Sequence, residues 1–185
     1  MSTMTAVNPA TGTRAAEHPV MGSAEVEARL ARAERTAREW ARVPVRERLA
    51  VVRRVGELLD RDRDRHAALM TSEMGKLIGA AGDEVAKCSH CCRWYADHAE
   101  SLLAPEPVEV EGERSWVAYD PLGPVLAIMP WNFPFWQVVR FAAPALCAGN
   151  VVLLKHASNV PGCALALEAL FAEAGAPAGV FQALL

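Results

Sequence analysis

Apolar residues recur at intervals of three and four along the first half of the chain, a spacing that predicts amphipathic helices. The first helix is expected to begin at an N-cap, Ser23, and to end before Pro44. Its apolar stripe comprises Val26, Leu30, Ala33, Ala37 and Trp40. A second helix is predicted around the stripe formed by Leu49, Val52, Gly56 and Leu59. A third, from about 81 to 103, carries Val85, Cys88, Cys92, Tyr95 and Ala96. The run RDRDR at 61–65 has mixed sign, which predicts a solvated helix junction.

The second half of the chain changes period. PEPVEVEGERSWVAYDPLG alternates apolar and polar residues around Gly112, which predicts an antiparallel pair of strands. The elements expected after it are strand 125–129, helix 134–148, strand 151–155, helix 162–174 and strand 180–185. Gly149 and Gly175 stand where C-cap glycines belong. Short connections of this kind predict right-handed βαβ units in a parallel sheet. The apolar strand 125–129 is expected to be buried on both faces.

Together these elements predict an α/β fold, in which N-terminal helices and a β-hairpin lead into an incomplete Rossmann-like parallel sheet of βαβαβ order. We expect two parts, a helical segment with the hairpin at 1–120 and the parallel sheet at 121–185. Because the chain stops inside its third sheet strand, the sheet domain is expected to be incomplete.

Composition and charge narrow the classes of function. Of the 185 residues, 52% are hydrophobic and the formal net charge is only −3, so neither a nucleic acid nor a membrane surface is expected as a partner. The N-terminus lacks the basic and apolar regions of a signal peptide, which predicts a cytoplasmic protein. In that compartment the five cysteines are expected to be free thiols.

One uncharged stretch, 121–139, has a length that could just cross a bilayer. It contains Pro121, Pro124, Pro130 and Pro134. Each proline removes a backbone donor that lipid cannot replace, so a transmembrane helix is not expected.

Polar residues follow two strands of the predicted sheet, at the edge where ligands bind in open parallel sheets. The first cluster is Met129, Pro130, Trp131 and Asn132, and the second is Lys155, His156, Ala157 and Ser158. A purely structural interpretation stays open: Asn132 as a turn amide, Pro134 as the first residue of the next helix and Lys155 as a solvated strand end.

The tract CSHCC is the other cluster that could carry chemistry. It holds Cys88, His90, Cys91 and Cys92, but a tetrahedral zinc site needs a second pair of ligands, which the sequence lacks. Three of the cysteines fall on one helix face, as buried apolar residues would. We therefore expect no metal site. Cys163 lies near a helix N-terminus without an adjacent base, so it is not expected to be a nucleophile.

The motifs GPVLAIMPWNFPFWQ and AGNVVLLKHASNVP, together with NPATGT and EMGK, resemble the aldehyde dehydrogenase superfamily. EMGK and KHASNVPGCA are most similar to its succinate-semialdehyde dehydrogenase branch. The resemblance covers nearly the whole chain. It implies an NAD(P)-binding role for 121–185, a small aldehyde as substrate, and a homo-oligomer in which part of 1–120 forms an arm. It also implies that the catalytic cysteine, the general-base glutamate and the catalytic domain lie beyond residue 185.

The resemblance also implies roles for single residues. Asn132 would donate to the aldehyde oxygen as it becomes an oxyanion. The backbone of 129–131 would line the cofactor path, and the segment 155–158 would contact the cofactor, with Lys155 at the adenosine ribose or its phosphate. Because the small hydroxyl of Ser158 tolerates a 2′-phosphate, NADP is favoured over NAD, although Ser158 could instead cap the next helix. The isolated chain is expected to be inactive. The alternative is a catalytically dead remnant that serves as a cofactor-binding or interaction module.

Overall fold

The structure is a computed structural model that describes residues 2–185. These residues form six helices and seven strands. In chain order the elements are β1 (Thr3–Val7), β2 (Arg14–Pro19), α1 (Ser23–Trp40), α2 (Val45–Arg61), α3 (Arg63–Met74), α4 (Ile78–Leu102), β3 (Glu106–Val110), β4 (Glu113–Val117), β5 (Pro124–Met129), α5 (Trp136–Cys147), β6 (Val151–His156), α6 (Pro161–Glu173) and β7 (Phe181–Leu184). The predicted α/β class and the βαβαβ order are confirmed.

The helices pack along the apolar stripes of the sequence. The predicted stripe of α2 is buried throughout. Its Gly56 lies close against α4, since a Cβ there would lie 3.1 Å from the Ser89 carbonyl oxygen. The Ser89 hydroxyl returns a hydrogen bond of 2.7 Å to the Gly56 carbonyl. α2 and α4 therefore form a tight pair held by both packing and polar contact.

Three details of the helical half differ from the prediction. Ser23 is the first residue of α1 and Gly22 takes the cap position. Leu30 is 40% exposed, so the buried stripe of α1 is shorter than its apolar pattern. The RDRDR run contains the expected junction, but a separate helix, α3, begins at Arg63 within it.

An N-terminal hairpin, β1 with β2, was not predicted. The two strands are antiparallel, and the turn NPATGT joins them. The Asn8 side chain accepts a hydrogen bond of 2.9 Å from the Ala10 amide, and Gly12 has a positive φ of 68°. An asparagine side chain that accepts from the amide two residues later, with a glycine further along the turn, is common in turns. The sequence therefore did contain a signal for this turn.

The parallel sheet has the order β5-β6-β7. β6 is the central strand and is nearly fully buried. β5 is an edge strand, and the prediction that it is buried on both faces is wrong: Leu126 is 55% exposed and Ile128 is 74% exposed. Val125, Ala127 and Met129 alternate with them on the covered face. Within residues 2–185 nothing covers the other face, so an apolar sequence was not sufficient evidence of burial.

The C-terminus of α5 is fixed by polar contacts from the helical half. The Trp40 indole donates to the Leu146 carbonyl at 3.1 Å, and the buried Arg48 donates to the Cys147 carbonyl at 3.0 Å. Gly149 follows with a φ of 96°, as a C-cap glycine should. These bonds attach the sheet's first crossover helix to α1 and α2.

None of the helices within residues 2–185 combines the length and the hydropathy needed to cross a membrane.

Candidate functional site

The two predicted polar clusters meet at the carboxyl edge of the sheet. Met129 and His156 are register partners at the ends of β5 and β6. Beyond them the Ala157 amide donates to the Met129 carbonyl at 3.1 Å. The turn 130–135 and the loop 157–160 are therefore neighbours, as the sequence predicted.

The Asn132 side chain is exposed and is not used to build its own turn. Within residues 2–185 the structure records no hydrogen bond to its amide, whereas its backbone carbonyl accepts one of 3.1 Å from the Lys76 ammonium. Asn150 shows the contrast: its side-chain oxygen accepts from the amides of Leu122 and Gly123, at 2.7 and 3.1 Å. Asn132 thus leaves both its donor and its acceptor available at the sheet edge.

A buried carboxylate caps the helix that follows this turn. The amides of Phe135 and Trp136 both donate to Glu84 Oε1 at 2.9 Å. Lys76 forms an ion pair with the other oxygen of Glu84, and its ammonium lies 3.7 Å from the centroid of the Phe133 ring. Because the first amides of a helix have no partner within the helix, this remote carboxylate satisfies two of them.

The next helix has a matching cap. Gly162 and Cys163 donate their amides to the two oxygens of Glu73, at 2.8 and 2.9 Å. The alternative role of Ser158 as the cap of α6 is therefore wrong: the cap position is Val160, and Glu73 binds the free amides. Helix N-termini often bind phosphate. Here both are already occupied by carboxylates, so neither offers that site.

The motif EMGK takes part in both caps, because Glu73 is one of the two carboxylates and Lys76 is the ion-pair partner of the other. Glu73 and Lys76 stand three residues apart, and between them Gly75 ends α3 with a φ of 74°. One short segment thereby reaches α6 with its glutamate, and Glu84 and Asn132 with its lysine. In the sequence this motif contributed only to the family resemblance, and it indicated no role for either residue.

His156 is occupied by the protein itself. Its Nδ1 accepts from the Ala157 amide at 2.9 Å, which leaves Nε2 to donate to the Pro134 carbonyl at 2.9 Å. Burial lowers the pKa of His156, which keeps this neutral tautomer in place. Lys155 donates to the His156 carbonyl at 2.8 Å. The His156 ring joins the two loops, so any cofactor contact at this position would involve its backbone.

The cysteines lack the surroundings of a nucleophile. Burial raises the pKa of Cys88 and Cys92 well above the ordinary value and that of Cys147 to about 12. Burial, followed by the charge of Glu73, also raises the pKa of Cys163. The carboxylate cap thus removes the activation that a helix N-terminus would give this thiol. Within residues 2–185 no three His, Cys, Asp or Glu side chains are placed to hold a metal ion.

A cavity between α4 and α5 was missed by sequence reasoning. Its volume is about 360 Å³. The lining residues are Lys87, His90, Cys91, Trp94, Tyr95, Trp136 and Arg140. The Lys87 ammonium lies 4.0 Å from the centroid of the Trp136 ring. Trp136 and Arg140 are one helical turn apart on α5, the helix that follows Asn132, so this cationic and aromatic cavity belongs to the same region. The signal in the sequence was Arg140, the charge that ends the uncharged stretch.

The cap on α6 gives a testable expectation for Gly162. A Cβ at this position would lie 2.6 Å from Glu73 Oε1, so Gly162→Ala should displace the carboxylate and lower the free energy of unfolding by about 1–3 kcal/mol. The matched control is Gly79→Ala on α4, where a Cβ meets nothing within 4 Å. Alanine should raise helix stability there by up to about 1 kcal/mol. Urea denaturation of both variants measures the difference. Equal effects would show that the cap contributes nothing.

Comparison with known proteins supports the family resemblance that the sequence motifs indicate. The profile of the aldehyde dehydrogenase family matches residues 1–185. The chain is 52% identical over 179 residues to the probable succinate-semialdehyde dehydrogenase [NADP(+)] of Synechocystis sp., a match that covers 97% of this chain and 39% of that protein. It is 48% identical over 182 residues to succinate-semialdehyde dehydrogenase [NADP(+)] 1 of Mycobacterium tuberculosis, covering 97% of this chain and 40% of that protein.

The fold agrees with solved structures as well. The crystal structure of succinic semialdehyde dehydrogenase from Streptococcus pyogenes, in complex with NADP+ as the cofactor, superposes with a TM-score of 0.95 at 35% identity. That match covers 98% of this chain and 40% of the other. The chain therefore spans about 40% of the length of the relatives it matches. On sequence and fold alike, this chain belongs to the aldehyde dehydrogenase family.

Proposed function

We propose that this chain supplies the oxyanion donor and the cofactor-binding loops of an NADP-dependent aldehyde dehydrogenase that oxidises succinate semialdehyde to succinate. The observation that carries the proposal is the Asn132 amide, which is free while its backbone is held at the carboxyl edge of the sheet. The relatives named above support the choice of aldehyde and of cofactor.

The chemistry assigns a defined task to Asn132. A cysteine thiolate from outside residues 2–185 adds to the aldehyde carbon, and the carbonyl electron pair moves to oxygen. The Asn132 amide donates to that oxyanion and does not titrate, so it acts at any working pH. NADP held by the cofactor-binding loops would supply the hydride acceptor as the carbonyl re-forms, and water would then cleave the thioester to the acid. This chain's residues hold the aldehyde oxygen and shape the site, and the nucleophile comes from elsewhere.

The substrate's far end would find positive charge in the cavity between α4 and α5. Succinate semialdehyde carries a carboxylate, and Arg140 and Lys87 both line the cavity. Arginine binds carboxylates through two parallel hydrogen bonds, which supports Arg140 as the main partner. The aromatic side chains of Trp94 and Trp136 would cover the methylene groups between the two ends.

The cofactor preference is testable at Ser158, which is exposed in the loop after β6. Ser158→Glu should weaken NADP relative to NAD by roughly tenfold or more, because a carboxylate beside a 2′-phosphate is a like-charge pair. Ser158→Ala is the control and should leave the preference for NADP in place. Cofactor titrations by fluorescence measure both variants. If the ratio of the Kd values for NADP and NAD is unchanged in Ser158→Glu, the 2′-phosphate does not lie beside Ser158.

The experiment that tests the proposed function uses a chimera, in which residues 1–185 replace the matching segment of the Synechocystis relative. We expect the chimera to form NADPH from succinate semialdehyde. With aldehydes that lack a carboxylate it should form none. The isolated chain should form none, because its cysteines are buried or half-buried and their thiol pKa values are raised. Activity of the isolated chain, or a folded chimera without activity, would contradict the proposal.

The hairpin of β3 and β4 supports assembly into an oligomer. Its strands are almost entirely exposed, and Val108, Val110 and Trp116 are 45%, 49% and 62% exposed. A concave surface of about 920 Å³ lies along this hairpin. Apolar side chains exposed on a two-stranded arm are typical of a surface that another copy covers.

A further inference from the structure

The ion pair of Lys76 and Glu84 is largely buried, and both side chains have several further polar or aromatic partners. The Glu84 side chain is 1% exposed and that of Lys76 is 11% exposed. Glu84 accepts from two backbone amides and from the Lys76 ammonium. The ammonium has three N–H donors, and three acceptors surround it: Glu84, the Asn132 carbonyl and the face of the Phe133 ring. Each charge is therefore compensated in one geometry.

These contacts hold the turn that carries Asn132 at its middle and at its end. In the middle of the turn, Lys76 binds the carbonyl of Asn132 itself at 3.1 Å. At its end, Glu84 binds the amides of Phe135 and Trp136. A peptide group held at its carbonyl cannot rotate freely, so the direction of the adjacent Asn132 side chain is also restricted. The pair thus acts on the orientation of Asn132 without approaching a substrate.

We propose that Lys76 and Glu84 form one positioning unit for the Asn132 amide, an inference that rests on the proposed role of Asn132 in the reaction. An oxyanion donor contributes most when it is preorganised, and an error of about 1 Å in placement can cost up to a hundredfold in rate. The unit supplies this preorganisation from α4 and from the segment before it, which lie outside the sheet.

The other helix cap provides a matched comparison. Glu73 is also a buried carboxylate that binds two helix amides, but its partners are Gly162 and Cys163 on α6. Within the described part of the chain the structure records no hydrogen bond between Glu73 and the turn 130–135. A purely structural role predicts that loss of either cap has similar consequences. A positioning role predicts that only the cap at Glu84, with Lys76, is coupled to Asn132.

A double-mutant cycle in the chimera tests this coupling. Lys76→Met should lower kcat by roughly tenfold or more and leave the Kd for NADP within about twofold, since only the placement of Asn132 is lost. In the Asn132→Ala background the same change should lower kcat by less than about twofold, because residues that act through one another are not additive. Lys76→Arg keeps the charge and should recover much of the lost turnover.

The control cycle pairs Glu73→Gln with Asn132→Ala and should be additive. An equal loss from Lys76→Met in both backgrounds, or a parallel loss of NADP affinity, overturns the positioning unit while leaving the proposed function intact. If Asn132→Ala alone leaves kcat unchanged, the proposed role of Asn132 fails first and the inference fails with it. Should the Lys76→Met chimera not fold, Glu84→Gln enters the same cycle, since the glutamine oxygen can still accept both backbone amides while the ion pair with Lys76 is lost.

Discussion

Asn132→Ala is expected to lower the kcat of the chimera by about a hundredfold or more while NADP binding stays nearly unchanged, the loss typical of one oxyanion-hole donor. The reason is that the amide acts on charge that develops only during the reaction. Its side chain forms no recorded bond within residues 2–185, so its removal should leave the fold intact. Steady-state kinetics with succinate semialdehyde, together with a cofactor titration, measure the two quantities.

Asn150→Ala is the matched control for that experiment. Its side-chain oxygen binds the amides of Leu122 and Gly123, so this variant should lose thermal stability and keep its turnover per folded molecule. If Asn132→Ala behaves like Asn150→Ala, then Asn132 serves the turn, and the interpretation of its amide as an oxyanion donor is wrong.

Acidification is expected to destabilise the protein through His66. This imidazole is 1% exposed, lies 5.0 Å from the Phe135 ring and has no hydrogen-bond partner at either nitrogen within the described residues. Burial lowers its pKa to about 4, Arg65 and Arg61 add to the shift, and Asp62 opposes it. The folded state holds the imidazole in its neutral form. The contribution of His66 to the free energy of unfolding is therefore fully present above the unfolded pKa of about 6.5, and it is lost as the pH falls towards 4.

The size of this effect is about 3 kcal/mol, from the difference between the folded and unfolded pKa values of His66. His66→Leu should remove most of the loss in free energy of unfolding that the protein shows between neutral pH and about pH 4. His156, whose pKa is also lowered, accounts for part of the loss that remains. Urea denaturation of the chimera and its variant at several pH values provides the comparison. Parallel stability curves would show that His66 does not titrate in this range.

The sequence predicted most of the local structure whose cause was local, although the N-terminal hairpin with its local turn signal was not predicted. The stripe at Leu49, Val52 and Leu59 is buried as expected, and Gly149 and Gly175 both take positive φ after their helices. The order of strands and helices in the sheet is confirmed because short βαβ connections allow few topologies. Placing Asn132 and Ser158 at one edge of that sheet followed from the same rule.

What the sequence did not reveal depends on distant partners. Glu84 lies 51 residues before Phe135, and Glu73 lies 89 residues before Gly162, so no periodicity connects each carboxylate to its helix. The exposure of Leu126 and Ile128 also depends on which strand takes the edge, which an apolar run alone does not determine. The roles of Asn132 and of the segment 155–158 in catalysis and cofactor binding stay predictions.

The order in which the two caps are synthesised has a consequence for biogenesis. A ribosome produces Glu73 and Glu84 before it produces the helices that they bind. When α5 and α6 emerge, their unpaired amides can bind carboxylates that are already present on α3 and α4. The carboxyl edge of the sheet can therefore fold while the chain is being synthesised. A circular permutant that begins at 121 would reverse this order. Its nascent helices would wait uncapped, and its yield of folded protein should fall even though every native contact remains possible.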